Sequence, residues 1–293
     1  MNEKIGFIGL GAMGKFMAEN LLKAGYILVL YDKAESALLP FKGYANAELA
    51  GSVAEVGEKT INCITMLPNT PHVEEVILGA DGLHSTMVGN SLIIDMSSIA
   101  PNNTIIIAET LKKKGIDFLD APVSGGQKGA REGTLSIMVG GEKGIFEKAL
   151  KILSIMGRNI VYMGPAGSGQ TAKICNQIIV GMNIHAVCES FALARSAGMD
   201  LEILRNVLMG GAANSWMLEN LAPMMLKGDT SAGFRITLQL KDLRLALDTG
   251  FENAVPLPGT ALVANLYTEA IAHGEANNGN QALFKVFERL SGN

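Results

Sequence analysis

Ile5-Gly6-Phe7-Ile8-Gly9-Leu10-Gly11-Ala12-Met13-Gly14 is the stretch whose reading decides how the first half of this chain folds. Ile5 to Ile8 read as a short buried strand. A helical pattern follows the glycines to about Gly25, Ile27 to Tyr31 read as a second strand, and Asp32 ends it. Strand, glycine turn, helix, strand and acid, in that order, make a dinucleotide-binding unit. The glycine spacing alone is weak in a chain with 34 glycines; the flanking elements give it weight. Gly9 permits the tight turn, Gly11 lets the backbone approach a pyrophosphate, and Gly14 lets the helix pack closely on the strand. The helix N-terminus offers free N–H groups and a partial positive charge to phosphates. Asp32 can accept hydrogen bonds from both ribose hydroxyls and would repel a 2′-phosphate, so NAD is expected. Lys33 softens that preference and keeps NADP possible.

Outward from this unit the alternation continues. Ser52 to Glu58 read as a helix, and Thr60 to Leu67 as a buried strand closing in Pro68-Asn69 at the cofactor edge. Leu92 to Asp95, Asp117 to Asp120, Leu135 to Val139 and Ile160 to Met163 read as further strands. Pro101 to Lys114 and Lys143 to Met156 read as helices. Beyond Gly164-Pro165-Ala166-Gly167 the strand pattern stops. Helices are expected at Gly167 to Gly198, Leu201 to Met209 behind an Asp200 cap, Asn214 to Lys227, Ile236 to Thr249, about Pro258 to His273, and Asn280 to Leu290. The expected fold class is α/β: a Rossmann-type doubly wound sheet over residues 1–163, and an all-helical substrate and oligomerisation domain over 164–293, joined by a long interdomain helix.

Bulk properties narrow the partners. With 293 residues, 48% hydrophobic and 18% charged, the chain can fill two cores. A net charge of -4 with no basic run argues against nucleic acid. No uncharged apolar stretch reads as long enough to span a bilayer. Cys63, Cys175 and Cys188 all fall in apolar periodic segments and read as reduced, buried thiols of a cytoplasmic protein. His72, His84, His185 and His273 are scattered, so no metal is expected. The 15 methionines, with many leucines in the helical half, exceed what a lone bundle needs. They point to a subunit interface, against ordinary core plasticity as the alternative.

A nicotinamide enzyme needs a proton donor or acceptor beside the reacting carbon. At about 100° per residue, Lys173, Asn176 and Gln177 share one face of the long helix, which continues as Val180, Ile184 and Val187. A solvated face would stay polar, and a core face would not begin with lysine. Partial desolvation at a domain boundary would lower the Lys173 pKa toward a usable value. Asn176 can orient the lysine or the substrate oxygen. Ser124-Gly125-Gly126, in the turn after a strand, can form an anion nest for a carboxylate. Lys241, beside Asp242, is a third candidate, with a surface ion pair as the plainer alternative.

These motifs resemble the β-hydroxyacid dehydrogenases, the group that includes 3-hydroxyisobutyrate dehydrogenase and tartronate semialdehyde reductase. The resemblance covers essentially the whole chain. It rests on Gly-Phe-Ile-Gly-Leu-Gly-Ala-Met-Gly at 6–14, Thr-Met-Leu-Pro-Asn at 65–69, Asp-Met-Ser-Ser-Ile-Ala-Pro at 95–101 and Asp-Ala-Pro-Val-Ser-Gly-Gly at 120–126. Gly-Thr-Leu-Ser-Ile-Met-Val-Gly-Gly at 133–141, Gly167 with Lys173 and Asn176, and Lys241-Asp242 complete it. The wording at 65–69, 95–101 and 120–126 is closest to the tartronate semialdehyde reductase branch, with 3-hydroxyisobutyrate dehydrogenase or another short-chain semialdehyde reductase as the alternative, and behind these a non-catalytic nucleotide-binding module on the same scaffold.

The resemblance implies a catalytic Lys173 with Asn176 beside it, and a substrate site of Ser124, Gly125, Gly126 and Phe234. It implies cofactor contacts from Gly9, Leu10, Gly11, Ala12, Met13, Gly14, Asp32, Met66, Leu67, Pro68, Ser98 and Lys241. The substrate would be a small carboxylate, and the assembly a homodimer or homotetramer through the helical domain. One local departure is Asn69-Thr70-Pro71, where the family often has Ser-Pro.

Overall fold

A computed structural model describes residues 4–292, which divide into two compact units, Met1–Lys173 and Ile174–Asn293. The first unit is a single sheet with helices on both faces. Its strands are β1 (Lys4–Ile8), β2 (Ile27–Tyr31), β3 (Ala47–Leu49), β4 (Asn62–Thr65), β5 (Leu92–Asp95), β6 (Asp117–Asp120), β7 (Val123–Ser124), β8 (Leu135–Gly141) and β9 (Gly157–Gly164). The parallel part runs β3-β2-β1-β4-β5-β6, and β8 joins β6 antiparallel and β9 parallel. The order reverses between β1 and β4, so the crevice for a ligand lies beyond the carboxyl ends of those strands.

Alternation along each strand feeds two cores. Phe7, Leu28, Leu30 and Ile94 pack on one face with Met17 and Leu21 of helix Gly14–Lys23. Ile8, Val29, Cys63 and Ile93 pack on the other with Val56, Val73 and Ile107 from the opposite helical layer. Burial on both faces is what near-continuous apolar parallel strands require.

Four helices escape the sequence reading; two are single turns, Glu35–Leu38 and Leu83–Thr86, and two are longer. The first of the longer pair is Thr70–Leu78: Pro71 lies in its first turn, where a missing N–H costs nothing, and the Asn69 side chain caps it by accepting from His72 N–H. The Thr70 hydroxyl accepts from Ala100 N–H at 3.1 Å, a bond a serine hydroxyl could also accept. The second is helix Gly126–Glu132, which opens inside the expected glycine loop. Strands β6 and β7 keep one register on β8, Asp120 opposite Gly140 and Val123 opposite Ile137, with the interruption at Ala121-Pro122.

The division between units falls after Lys173, later than the composition change at 164–167. The first turn of the long helix, Ser168–Ser196, is tied into the sheet: Gly167 and Gln170 N–H each donate to the Asp120 carboxylate at 2.9 Å.

The second unit is helical. Phe191, Leu240, Tyr267 and Val286 are among its fully or almost fully buried residues, and Ile184 and Val187 of the expected stripe join them. The long helix stops at Gly198, whose φ is +72°, and Met199 N–H closes the end on Ala194 O at 3.0 Å. The expected helix at Asn214 to Lys227 is instead two short ones, Trp216–Asn220 and Ala222–Leu226, and 280–290 begins with a 3₁₀ turn, Asn280–Leu283. Pro223 cannot continue a preceding helix and sits at the start of a new one.

Two further expectations are corrected. Cys63 and Cys188 are buried, but Cys175 is exposed. It shares the outer face of the long helix with Ile179 and Met182, so apolar neighbours in sequence do not place it inside. The long helix, at 29 residues and a mean hydropathy of 1.3 over its best window, is long and apolar enough to cross a membrane by length and composition. Its inner stripe carries the polar residues Gln170, Lys173 and Gln177, all buried within the protein.

Candidate active site

The carboxyl ends of β1, β2, β4 and β5 bring together the candidates Gly9 to Gly14, Asp32, Met66 to Pro68 and Ser98. Gly9 has φ +97°, and its N–H donates to Tyr31 O at 3.0 Å. A Cβ on Gly9 would lie 2.3 Å from Met66 O, and one on Gly14 would lie 1.9 Å from Gly9 O, so the fold itself demands glycine at both positions. At Gly11 an added Cβ meets nothing within 4 Å. The fold does not require that glycine; a ligand pressed against the backbone would. Gly11 and Ala12 are exposed, and the N-terminus of helix Gly14–Lys23 has no side-chain cap, which leaves its amides available to phosphate.

Asp32 has a task that sequence reasoning missed. Its Oδ2 accepts from Leu10 N–H at 2.7 Å and its Oδ1 from Ala34 N–H at 2.8 Å, so it braces the glycine turn from the end of β2. Each oxygen keeps acceptor capacity for a ribose hydroxyl. The turn, the uncapped helix start and this carboxylate together fit an adenine dinucleotide. Leu67 is held from below: its N–H donates to Ser97 Oγ at 2.8 Å, and the Ser97 hydroxyl donates to Asp95 Oδ1 at 2.6 Å.

Asp95 is the least expected member of this edge. It is fully buried; Thr65, the Ser97 hydroxyl and Ser97 N–H converge on Oδ1, while Oδ2 has no hydrogen-bond partner among the described residues. Burial pushes its carboxyl up to about 6, against the pull of the Ser97 and Thr65 hydrogen bonds and with help from Asp120. The folded state therefore holds this proton more tightly than the unfolded state. The resulting cost to stability is absent below the unfolded value near 3.8, grows as pH rises, and is complete above about 6. Its full size is roughly 3 kcal/mol at 1.36 kcal/mol per unit. Asp95→Asn should accordingly gain stability relative to the wild type between pH 4 and pH 7. Urea unfolding at both ends of that range checks this, and a difference that stays constant with pH would contradict it.

Ser124 ends β7, half-buried, and Gly125 and Gly126 take φ of +133° and +61°. The amides opening helix Gly126–Glu132 have no side-chain cap and can receive a carboxylate. Lys173 is the last residue of the first unit, and its side chain is almost fully buried.

The candidates Asn176, Phe234 and Lys241 belong to the second unit. Three of its side chains form a relay with Lys241. Asn176 Nδ2 donates to Gln177 Oε1 at 2.8 Å, Gln177 Nε2 donates to Asp242 Oδ2 at 2.6 Å, and Asp242 Oδ1 lies 3.0 Å from Lys241 Nζ. Asp242 is buried and Lys241 is not, so this is an anchored ion pair and not a free surface one. Phe234 is half-buried on the segment leading into helix Ile236–Glu252, where its carbonyl accepts from Asn280 N–H at 2.8 Å. A groove of about 570 Å³ lined by Tyr26, Asn62, Asn90, Asp117 and Lys148 lies at the amino ends of the strands, the edge opposite the glycine turn.

Comparison with known proteins agrees with this geometry. A family model described as the NAD binding domain of 6-phosphogluconate dehydrogenase matches residues 4–164. One described as NAD-binding of NADP-dependent 3-hydroxyisobutyrate dehydrogenase matches residues 167–287. The chain is 42% identical to the 2-hydroxy-3-oxopropionate reductase of Escherichia coli, over 98% of each chain. It is 38% identical to the mitochondrial 3-hydroxyisobutyrate dehydrogenase of Mus musculus, over 96% of this chain and 86% of that one. The solved 3-hydroxyisobutyrate dehydrogenase of Mycobacterium tuberculosis with L-serine superposes with a TM-score of 0.89 at 31% identity, covering 97% and 99% of the two chains. With both family models in sequence order and relatives matched over nearly their full length, this chain belongs to the β-hydroxyacid dehydrogenase family and is an NAD(P)-dependent hydroxyacid dehydrogenase.

Proposed function

We propose that the enzyme reduces tartronate semialdehyde, with Lys173 as the acid/base. Lys173 carries this reading: a nearly buried lysine on the long helix, one turn beyond the point where that helix is pinned to the sheet. For the substrate, support comes from the motif wording at 65–69, 95–101 and 120–126 and from the 42% identity to the 2-hydroxy-3-oxopropionate reductase. The nicotinamide, when bound, supplies the hydride in reduction and accepts it in oxidation. Lys173 protonates the substrate oxygen as negative charge develops on it, and takes the hydroxyl proton in the reverse direction. The amides of Ser124, Gly125 and Gly126 receive the carboxylate and set the distance of the reacting carbon from Lys173. Asn176, held by Gln177, orients the substrate oxygen.

NADH oxidation with tartronate, methylmalonate and succinic semialdehydes, repeated with NADPH, is the test. The highest kcat/KM is expected with tartronate semialdehyde and NADH. A clear preference for methylmalonate semialdehyde would move the assignment to 3-hydroxyisobutyrate oxidation, and silence with every carboxylated aldehyde would remove it. We also propose self-association through the helical unit. Helix Leu201–Met209 has no buried residue and exposes Ile203 and Val207 on one face. Light scattering should show a dimer or tetramer.

A further inference from the structure

We propose that Gln170 and Asp120 are positioning residues that set where Lys173 stands relative to the cofactor loop after β5; the inference rests on the acid/base role given to Lys173. Ser168 N–H finds a local acceptor in Pro165 O at 3.0 Å, but the N–H groups of Gly167 and Gln170 need a residue from elsewhere to satisfy them. Asp120, at the end of β6 and far away in sequence, does so, accepting from Gly167 N–H and Gln170 N–H at 2.9 Å each. This is a cap delivered from the sheet. The side chain is buried, and burial pushes the carboxyl up against the pull of these N–H groups.

The seat beneath the helix leaves no slack. A Cβ on Gly169 would lie 2.4 Å from Met138 O and 2.7 Å from Asp120 O, and one on Gly140 would lie 2.5 Å from Asp120 Oδ1 and 2.8 Å from Gly169 N. The helix backbone therefore rests directly on the backbones of β6 and β8, as only glycine allows.

Gln170 then joins this seat to the cofactor edge. It is fully buried. Its Nε2 donates to Ser97 O at 2.8 Å and its Oε1 accepts from Ile99 N–H at 3.1 Å. One amide thus grips the backbone on both sides of Ser98, the way a neighbouring strand would, and only a glutamine of this length offers both the donor and the acceptor. Ser97 in turn holds Leu67 N–H. Lys173 follows Gln170 by three residues and lies on the same helix face. A turn or slide of the helix start would break the amide pair, so the Gln170 clamp fixes the helix turn that carries Lys173 against the loop carrying Ser98. Proton transfer needs that constancy, because a displacement of about 1 Å can cost on the order of 100-fold in rate.

The test is Gln170→Ala, with Gln170→Met as the companion that keeps length and packing and loses both donor and acceptor. We expect kcat to fall roughly 10- to 100-fold for both variants, with NADH affinity and the aldehyde KM within about threefold of wild type. The primary isotope effect on kcat with 4-deuterated NADH should rise in both, since a misplaced lysine slows the chemical step and a merely structural loss would not. A folded variant with wild-type kcat and isotope effect overturns the proposal; if Gln170→Ala does not fold, Gln170→Met carries the same decision. Lys173→Ala run alongside separates the two failures. If that variant is as active as wild type, the acid/base reading falls and takes the positioning role with it. If it is inactive while both Gln170 variants are normal, only the clamp is wrong.

Discussion

Lys173→Ala is expected to cut turnover by roughly 10²–10⁴-fold while leaving NADH affinity nearly intact, the range found when a positioned general acid is removed. The separation of effects follows from the placement of the residues. The glycine turn, Asp32 and the Leu67 amide, the candidates for the dinucleotide edge, are held by Gly9 N–H on Tyr31 O, Leu10 N–H on Asp32 and Leu67 N–H on Ser97. The lysine is nearly buried on a helix whose start is fixed by Asp120 and whose inner stripe continues into Ile184 and Val187 of the second unit's core. Truncation to alanine keeps helix propensity, so the helix should persist. Steady-state turnover, NADH fluorescence titration and the thermal midpoint, measured on one preparation, check all three parts of this expectation.

Replacing two glycines of the same turn should produce opposite kinds of damage. Gly14→Ala places a methyl 1.9 Å from Gly9 O and 3.2 Å from the Phe7 ring. The turn must open or the helix must lift from β1, a cost of about 1–3 kcal/mol or more in stability as well as the loss of the phosphate site. Gly11→Ala meets no protein atom within 4 Å. It should leave the thermal midpoint within a degree or two of wild type, an effect of about 0.5 kcal/mol or less. NADH binding should nevertheless weaken, on the order of 10-fold or more, because the methyl occupies space that a pyrophosphate needs. The informative result is the contrast. Equal destabilisation by both variants would mean that Gly11 serves the fold and not the ligand.

Much of this is legible in the sequence. The glycine turn was legible because covalent geometry limits what can stand at Gly9 and Gly14, and the acid at the end of β2 was legible because strand length fixes its place. The long helix and its stripe from Lys173 to Val187 were legible because a helical period survives tertiary packing. The connections that give the site its geometry were not. Asp120 meets Gly167 and Gln170 across 47 and 50 residues, and Gln170 meets Ile99 and Ser97 across 71 and 73. No local pattern marks a side chain that caps a helix from a distant strand. Cys175 was misplaced because the outer face of the long helix is also apolar, with Ile179 exposed beside it. Helices Thr70–Leu78 and Gly126–Glu132 were missed because proline and glycine punctuate helix starts as well as loops.

The most direct measurement is single-turnover NADH oxidation with enzyme and cofactor pre-mixed, followed against pH in the wild type and in Lys173→Ala. The account predicts a wild-type rate that falls along a single ionisation as pH rises, because reduction needs the protonated ammonium. In the variant it predicts a rate at least about 100-fold lower with that limb absent. A variant that keeps the wild-type rate and the same alkaline limb would contradict it.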